Sequence, residues 1–411
     1  MWRTPVLSYP FSIAVCRSFP YDDGMIDKAK ANGRWVLGFQ YFLYFGVMGM
    51  QLPFFNLYCY QLGFNGWQIG TLSAARSMVL IIFGIAWSLL ADRFQSRRSI
   101  YIFCNFVSAA TWGFFLLTTR FYWMLAITIA YGIFYAPLIS FLEAFAMDVL
   151  GRDKKRYDRM RAWGSLAFIT VVLVLGRIID LYSVKIIISL ILAWSWVQAL
   201  VSLGFPLKPP TARFNFWTEL KSLVSKRVLV FFGCAFLMLA SHGAYYAFFS
   251  IHLSKLGFGN FFIGACWAVA TGAEIITMYF SERIFKRFDY ETVLLFSFGV
   301  AVLRWAGLWI TPSAAGIMVL QITHAVTYGT FHMASILHID TLAPAEAKTV
   351  GQAANNAVTY GLGLMVGFFV SGALYGQIGS ANLFAISAAI ALLGGVLFQA
   401  SILARKRRPI R

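Results

Sequence analysis

The sequence predicts an all-α membrane protein with twelve transmembrane helices in two six-helix bundles. Of its 411 residues, 60% are hydrophobic and only 12% are charged, and the mean hydropathy is +0.71. The apolar residues also fall in runs of about 20, which is the length of helix that crosses a bilayer. A membrane β-barrel would instead need short segments of alternating polarity, and the sequence has no such series.

Twelve apolar runs define the predicted spans. They cover residues 35–60, 67–90, 99–118, 121–147, 160–180, 184–206, 228–253, 261–282, 291–310, 314–338, 350–376 and 382–404. The polar, proline-containing segment 207–227 is predicted to link a first bundle, 34–206, to a second bundle, 228–405, which a basic tail, 406–411, follows. Residues 1–33 are predicted to be a disordered segment outside the bundle, and Met25, just before the first span, is the expected natural start.

The net charge of +18 is unevenly distributed between the predicted loops. One set of alternate loops and the tail collects Arg93, Arg97, Arg98, Arg152, Lys154, Lys155, Arg156, Arg159, Arg161, Lys208, Arg213, Lys221, Lys226, Arg227, Arg283, Lys286, Arg287 and 405–408. The opposite loops carry only Arg120, Lys185 and Lys255. Because Lys and Arg are enriched in cytoplasmic loops, both termini are predicted to be cytoplasmic. The excess charge is therefore topological, and we expect the lipid bilayer, and no nucleic acid, as a partner.

An internal repeat relates the two predicted bundles. FFNLYCYQLGFNGWQIG (54–70) aligns without gaps with FFSIHLSKLGFGNFFIG (248–264), at an offset of 194 residues. Arg93-Phe94 and Arg287-Phe288 match at the same offset. Many secondary transporters consist of two such repeats with a substrate site between them. The repeat therefore predicts a transporter that works by alternating access.

The first bundle contains charged residues within its predicted spans, and such residues are functional hypotheses by default. Glu143 lies near the end of the fourth span, and Arg161 lies at the start of the fifth, so the two side chains are predicted to pair. The pair either binds substrate or only joins two helices. If Glu143 pairs with Arg161 and Glu274 with Arg304, Arg76 in the second span remains for a substrate carboxylate.

The second bundle has its own buried charges, Glu274, Arg304 and His324, in the eighth to tenth spans. They are predicted to face one another, either to exchange a coupled proton or to form a static hydrogen-bond network. The aromatic residues Tyr245, Tyr246, Trp267, Trp305 and Tyr328 either flank a substrate ring or fill ordinary helix contacts. Within THAVTYGTFHMASILHID (323–340), we predict His324 to face a cavity, His332 to pack in the core and His338 to meet water.

Metal binding and enzyme activity are not predicted. His324, His332 and His338 are too far apart along one helix to chelate one metal ion. The five cysteines are scattered, with no CxxC, and are expected to be small core residues. No nucleophile with an adjacent base is evident, so we expect no cofactor and no catalytic residues.

The loop LADRFQSRR (90–98) resembles the loop after helix 2 of the major facilitator superfamily, Gly-x-x-x-Asp-Arg-x-Gly-Arg-Arg. Asp92, Arg93 and Arg97 match that pattern, whereas Ser88 and Gln95 stand where glycines are usual. The resemblance implies the major facilitator fold and a role for these three residues in conformational switching.

Two narrower resemblances concern function. Glu143, Arg161, Glu274, Arg304 and His324 are similar to the sugar-binding and proton-coupling set of the lactose permease type of symporter, although Thr327 replaces a carboxylate of that type. The segments DRMRAWGSLAF, SHGAYYAFFSIHLSKLGF, GAEII, LRWAG and QITHAVTYGTFHMASI resemble the bacterial 3-phenylpropionic acid transporter family.

The predicted function is therefore proton-coupled symport of a small organic acid, such as an aromatic carboxylate, by a monomer in the bacterial inner membrane. The expected substrate-binding residues are Arg76, Glu143, Arg161, Tyr245, Tyr246, Trp267 and Tyr328, and the expected proton-coupling residues are Glu274, Arg304 and His324. The alternatives are a proton-coupled sugar or nucleoside symporter and a non-transporting membrane sensor. Substrate, stoichiometry and transport direction stay open at this stage.

Overall fold

The computed structural model of the chain describes residues 23–150, 154–205 and 221–406. The predictions for residues 1–22, most of the linker 207–227 and the tail beyond residue 406 lie outside the described residues. Residues 23–33, which we predicted to be disordered, belong to the first helix.

Most of the described residues are in helices, and none of them forms a β-strand. The helices are α1 (Asp23–Gln61), α2 (Gly66–Phe94), α3 (Arg97–Gly113), α4 (Phe121–Tyr135), α5 (Pro137–Leu150), α6 (Lys154–Leu181), α7 (Ile186–Ser202), α8 (Lys226–Ser241), α9 (Gly243–Lys255), α10 (Asn260–Tyr279), α11 (Ser281–Arg287), α12 (Tyr290–Ile310), α13 (Ala314–Ile322), α14 (Phe331–Leu342), α15 (Lys348–Asn355) and α16 (Leu364–Lys406). Two π-helical segments, Ala325–Thr330 and Asn356–Gly363, precede α14 and α16. Short 3₁₀ turns occupy Phe114–Leu116 and Ala345–Ala347.

Eight helical stretches in the described part of the chain are long and apolar enough to cross a membrane. They are Gly66–Phe94, Arg97–Leu116, Phe121–Val149, Met160–Leu181, Lys226–Lys255, Asn260–Tyr279, Tyr290–Ile310 and Lys348–Lys406. The last is interrupted at Gly379, whose φ of 76° lies outside the helical region. The chain is thus an all-helical, multi-pass membrane protein.

The sequence repeat is also a repeat of backbone conformation. α1 ends at Gln61 and α9 ends at Lys255, which are equivalent positions at the offset of 194. Two residues later, Gly63 and Gly257 have φ angles of 89° and 86°. An L side chain at these positions would meet the steric penalty of the left-handed region, so glycine terminates both helices.

The two halves contact each other closely at the end of the molecule that contains the loops 62–65 and 256–259. A Cβ atom on Gly372 of α16 would lie 2.7 Å from the Cα atom of Gly70 of α2. A Cβ atom on Gly264 of α10 would overlap the Val172 carbonyl oxygen of α6. Small residues permit such close approach of membrane helices, where van der Waals packing drives association. Larger side chains would separate the halves at this end.

A carboxylate also joins the halves there. Asp180, near the end of α6, accepts hydrogen bonds from the backbone N–H groups of Asn260 and Phe261, at 2.7 and 2.9 Å. The Asn260 side-chain amide donates a third hydrogen bond to it, at 2.9 Å. The first N–H groups of a helix have no partner within the helix, so Asp180 caps α10 from the opposite half.

The residues that resemble the superfamily pattern lie at the junction of α2 and α3, with Asp92 and Arg93 in the last turn of α2 and Arg97 at the start of α3. Asp92 lies 3.7 Å from Arg97, which is also 3.6 Å from Asp148 of α5. The Arg93 guanidinium lies 5.9 Å from the ring centre of Phe94. Gln95 has a φ of 51°, the left-handed conformation that a glycine would adopt more easily.

Candidate functional site

A cavity of about 480 Å³ lies between the two halves. This volume is typical of sites for small organic ligands. Its lining includes seven of the predicted site residues, namely Arg76, Arg161, Tyr246, Trp267, Glu274, His324 and Tyr328. The cavity therefore brings together charged residues from both bundles that are distant in the sequence.

Arg76, on α2, lines the part of the cavity that the first half forms. Among the described residues, it forms no ion pair and no hydrogen bond. Tyr44 and Gln51 line the same cavity: Tyr44 stacks with Tyr135, ring centres 5.2 Å apart, and Gln51 donates a hydrogen bond to Tyr131 at 2.8 Å. A guanidinium with five donors is thus available to an anion in the cavity.

Glu143 and Arg161 approach each other as the sequence predicted. The Arg161 Nη1 atom lies 3.8 Å from the Glu143 Oε1 atom, and both side chains keep more than two-fifths of their surface accessible, 46% and 43%. Arg161 lines the cavity, whereas Glu143 lies outside its lining. The distance is that of an ion pair rather than of a hydrogen bond.

Glu274, His324 and Arg304 form a continuous chain of polar contacts. The His324 Nε2 atom lies 2.8 Å from the Glu274 Oε1 atom, and the Arg304 guanidinium lies 2.6 Å from the His324 Nδ1 atom. A guanidinium can only donate, so Nδ1 accepts and the His324 proton is on Nε2, directed at Glu274. The three residues therefore face one another as predicted, but the Glu274–Arg304 pair that the prediction for Arg76 assumed is not direct, because His324 lies between them.

Arg304 lies behind the cavity wall, and its side chain is completely buried. It donates hydrogen bonds to Thr327 at 3.1 Å and to Gln321 at 3.2 Å. The ring of Tyr245 stacks on its guanidinium at 4.3 Å. Arg304 thus fixes the orientation of His324 from behind, without facing the cavity itself.

Tyr245 was predicted to bind substrate, and the structure places it elsewhere. Its side chain is fully buried, does not line the cavity, and donates a hydrogen bond to Gln321 at 3.0 Å. Its partners explain this position: its ring stacks on the Arg304 guanidinium, and its hydroxyl donates to the Gln321 oxygen that also accepts from Arg304. Tyr246 and Trp267, by contrast, do line the cavity, with ring centres 5.9 Å apart.

The π-helical segment Ala325–Thr330 shapes the wall beside Glu274. Within it, Gly329 faces the Glu274 side chain, and a Cβ atom there would lie 3.4 Å from the Glu274 Cγ atom. π-turns are rare and are frequent at functional sites. The wider turn and the missing side chain together leave room for the carboxyl group.

One further histidine prediction is wrong: His332, predicted to be a core residue, lines the cavity. His338, predicted to meet water, packs between Phe231 and Phe398, with ring centres 4.9 and 6.0 Å away, and lines a separate cavity with Lys226 and Arg405. Its contact with water stays a prediction. The described residues contain no group of three or more His, Cys, Asp or Glu that could hold a metal ion.

Sequence reasoning missed several polar residues of the site. Gln51, Asn56, Ser73 and Tyr360 line the cavity. The available signal was their polarity within apolar runs, which is the same signal that identified the charged residues. Uncharged polar residues are common enough in membrane helices that this signal alone did not separate them from helix contacts.

The chain matches the profile of the MFS_1 like family over residues 34–386. It belongs to this family. Members of the major facilitator superfamily are transporters rather than enzymes, so this MFS_1 like protein is a membrane transporter for a small-molecule substrate.

Relatives of this MFS_1 like protein are described with different substrates. It is 25% identical over 370 residues to a probable 3-phenylpropionic acid transporter of Escherichia coli (strain K12), covering 87% of this chain and 95% of the relative. It is 24% identical over 358 residues to the putative nucleoside transporter YegT of the same strain, covering 82% and 83%. The crystal structure of the nucleoside transporter NupG superposes with a TM-score of 0.81 at 18% identity, covering 89% and 98%. The last similarity shows the fold alone.

Proposed function

We propose that the protein is a proton-coupled symporter of a small organic acid with an aromatic ring, such as a phenylpropionate, and that it works by alternating access. The resemblance to the probable 3-phenylpropionic acid transporter supports this substrate class. The cavity adds independent support, because it combines a guanidinium with the aromatic side chains of Tyr246, Trp267 and Tyr328. We further propose that it acts as a monomer in a bacterial inner membrane.

We propose twelve crossings with both termini in the cytoplasm. Eight helical stretches are candidate spans by length and composition. The longest, Lys348–Lys406, provides two crossings if it turns at Gly379. The other three are α1, the apolar α7, and α13 with its π-helical continuation into α14. With this orientation, the closely packed end of the molecule is extracellular and the cavity faces the cytoplasm.

The observation that carries the proposed substrate class is the free guanidinium of Arg76. A charged group inside a membrane protein is costly unless it is paired, and a substrate carboxylate would pair it. Two parallel hydrogen bonds from a guanidinium to a carboxylate also fix the orientation of the substrate. The aromatic lining would then contact the ring of the acid through its faces and edges.

For the coupled proton, we propose Glu274 as the carrier and His324 as its partner. The two groups touch at the cavity wall, so a proton on Glu274 can exchange with the cavity when access changes. Arg304 holds the His324 ring in the orientation that directs Nε2 at the carboxyl group. Movement of the cavity walls would change the solvation of Glu274, and with it the free energy of its protonation.

A nucleoside is the second candidate substrate, because YegT and NupG are both described as nucleoside transporters. A neutral nucleoside would leave Arg76 without a carboxylate partner. The response of Arg76 to conservative substitution therefore separates the two candidates.

The test is uptake of labelled phenylpropionate and nucleosides into vesicles, with and without a proton gradient. Arg76→Lys keeps the charge but loses the planar fork that binds a carboxylate in two places. For an acid, we expect the apparent affinity to fall at least about tenfold, or about 1.4 kcal/mol. The matched control is Arg120→Lys, an exposed arginine in a loop away from the cavity. Normal affinity in Arg76→Lys would reject the acid and favour a neutral substrate.

A further inference from the structure

His332 is a polar residue of the cavity that the proposed function does not use. It lies on α14, just after the π-helical segment Ala325–Thr330. Its ring stacks almost parallel to Tyr328, with centres 6.4 Å apart and an angle of 11°. Tyr360, on the second π-helical segment, approaches edge-on with centres 4.9 Å apart and an angle of 83°. The ring is thus held on two sides by aromatic neighbours that also line the cavity.

The hydrogen bonds of the other histidines distinguish His332 from them. Both nitrogens of His324 contact protein groups, and His242 and His252 each use Nδ1, for a backbone carbonyl and a serine hydroxyl respectively. His338 packs between aromatic rings and lines a different cavity, together with Lys226 and Arg405. Two histidines of the described residues line the cavity between the halves, His324 and His332, and of these only His332 has a ring that forms no hydrogen bond with the protein.

The buried nitrogen of His332 determines which atom can act on a ligand. Nδ1 is inaccessible and has no partner in the described part of the chain. A neutral imidazole carries one N–H group, and a buried N–H without an acceptor is among the rarest arrangements in proteins. The proton of the neutral ring therefore belongs on Nε2, which is the polar atom left to face the cavity. His332 presents a hydrogen-bond donor there.

We infer that His332 donates a hydrogen bond from Nε2 to a second oxygen on the substrate, so that the substrate is a carboxylate that also bears a hydroxyl or carbonyl group. This inference rests on the proposed function, in which Arg76 binds the carboxylate. The two groups belong to opposite halves of the protein, and both are donors toward the cavity. A substrate with oxygen acceptors at two separate positions would contact both halves at once, whereas a simple phenylalkanoate would leave the His332 donor without a partner.

The hydrogen bond from His332 would make the transporter select substrates that carry the second oxygen. A site built to hydrogen-bond a substrate group rejects an analogue that lacks the group, because the site's own polar atom is then left unpaired. The test compares binding of 3-phenylpropionate with binding of its ring-hydroxylated analogues to the purified protein in lipid nanodiscs, by titration calorimetry. We expect wild type to bind at least one hydroxylated analogue about tenfold more tightly, equivalent to about 1.4 kcal/mol.

Three variants complete the experiment. His332→Phe keeps a flat ring but removes the donor, so the affinity ratio between the two acids should fall to about one. His332→Gln restores an N–H donor at a similar reach and should recover part of the ratio. The control is Tyr101→Phe, which removes a buried hydroxyl that donates to Gln40 outside the cavity, and it should leave the ratio unchanged.

The outcomes separate this inference from the proposed function. If wild type binds both acids equally, or if His332→Phe keeps the full ratio, the role of His332 is wrong, while weaker binding of both acids by Arg76→Lys would still support an acid substrate. If wild type binds no carboxylate, the acid substrate is wrong, and the inference is rejected with it.

Discussion

Removal of the Asp180 carboxylate should shift the conformational equilibrium of the transporter. Asp180 on α6 caps the first turn of α10 in the opposite half with three hydrogen bonds of 2.7–2.9 Å. In an alternating-access cycle, the halves must separate at this end, and the bonds must then break. Asp180→Ala removes them only from the state in which this end is closed, so the open state should become more populated.

The size of the shift between the closed and open states follows from the type of contact that is lost. Loss of a capping side chain costs a helix about 0.5–2 kcal/mol. Hydrogen bonds to a charged acceptor lie at the upper end of hydrogen-bond strengths, but Asp180 is exposed, and water replaces part of what is lost. A cost of about 1–2 kcal/mol to the closed state corresponds to an increase of about 5- to 30-fold in the ratio of open to closed molecules. Asp180→Asn keeps one acceptor oxygen and should give a smaller shift.

The assay is electron–electron double resonance between spin labels on the exposed loop residues Lys185 and Pro312, each changed to Cys, one in each half. The four described cysteines are buried, and Cys16 is changed to Ser. The matched control is Asp289→Ala, because Asp289 caps α12 within one half by accepting a hydrogen bond from Thr292. An unchanged distance distribution in Asp180→Ala, or an equal change in Asp289→Ala, would refute the reasoning.

Three other substitutions test the site and the fold. Glu143→Gln should remove the carboxylate that pairs with Arg161 and reduce uptake into vesicles at least about tenfold at normal expression. Near-normal uptake would show that transport does not need the pair. Glu274→Gln should abolish uphill uptake but permit counterflow, because exchange of substrate needs no deprotonation. Full accumulation of substrate would exclude Glu274, the partner of His324, as the carrier of the coupled proton. Gln95→Gly should raise the free energy of unfolding by about 0.5–1 kcal/mol in thermal denaturation, since it relieves a positive φ, and a lower melting temperature would contradict this account.

The sequence was most informative where a residue type has one physical explanation. Gly63 and Gly257 matched in the alignment because each ends a helix with a positive φ. Glu143 and Arg161 were predictable because two antiparallel helices with a short connection bring their ends together. At Gln95, the sequence departs from the superfamily pattern, and the backbone nevertheless keeps the left-handed conformation that glycine would favour.

The wrong prediction for His332 has a physical cause. On an ideal α-helix, eight residues turn His324 and His332 to faces about 80° apart. The π-helical segment Ala325–Thr330 lies between them, and its i→i+5 hydrogen bonds turn the chain less per residue. Both rings therefore reach the same cavity. Hydrophobic periodicity assumes a constant turn, so it could not anticipate this change.

The repeat and the charges separate the scaffold of the protein from its proposed chemistry. The two halves share the end of α1 and α9 and the glycine conformation that follows it, but Arg76 is equivalent to Ala270, Arg304 to Ala110, and His324 to Ala130 at the offset of 194. Symmetric halves can rock about a cavity, whereas chemistry that couples two ligands needs different groups on the two walls. We propose that the first half holds the anion through Arg76 and that the second half holds the proton near His324. A single cavity between them would then make each ligand sensitive to the same movement.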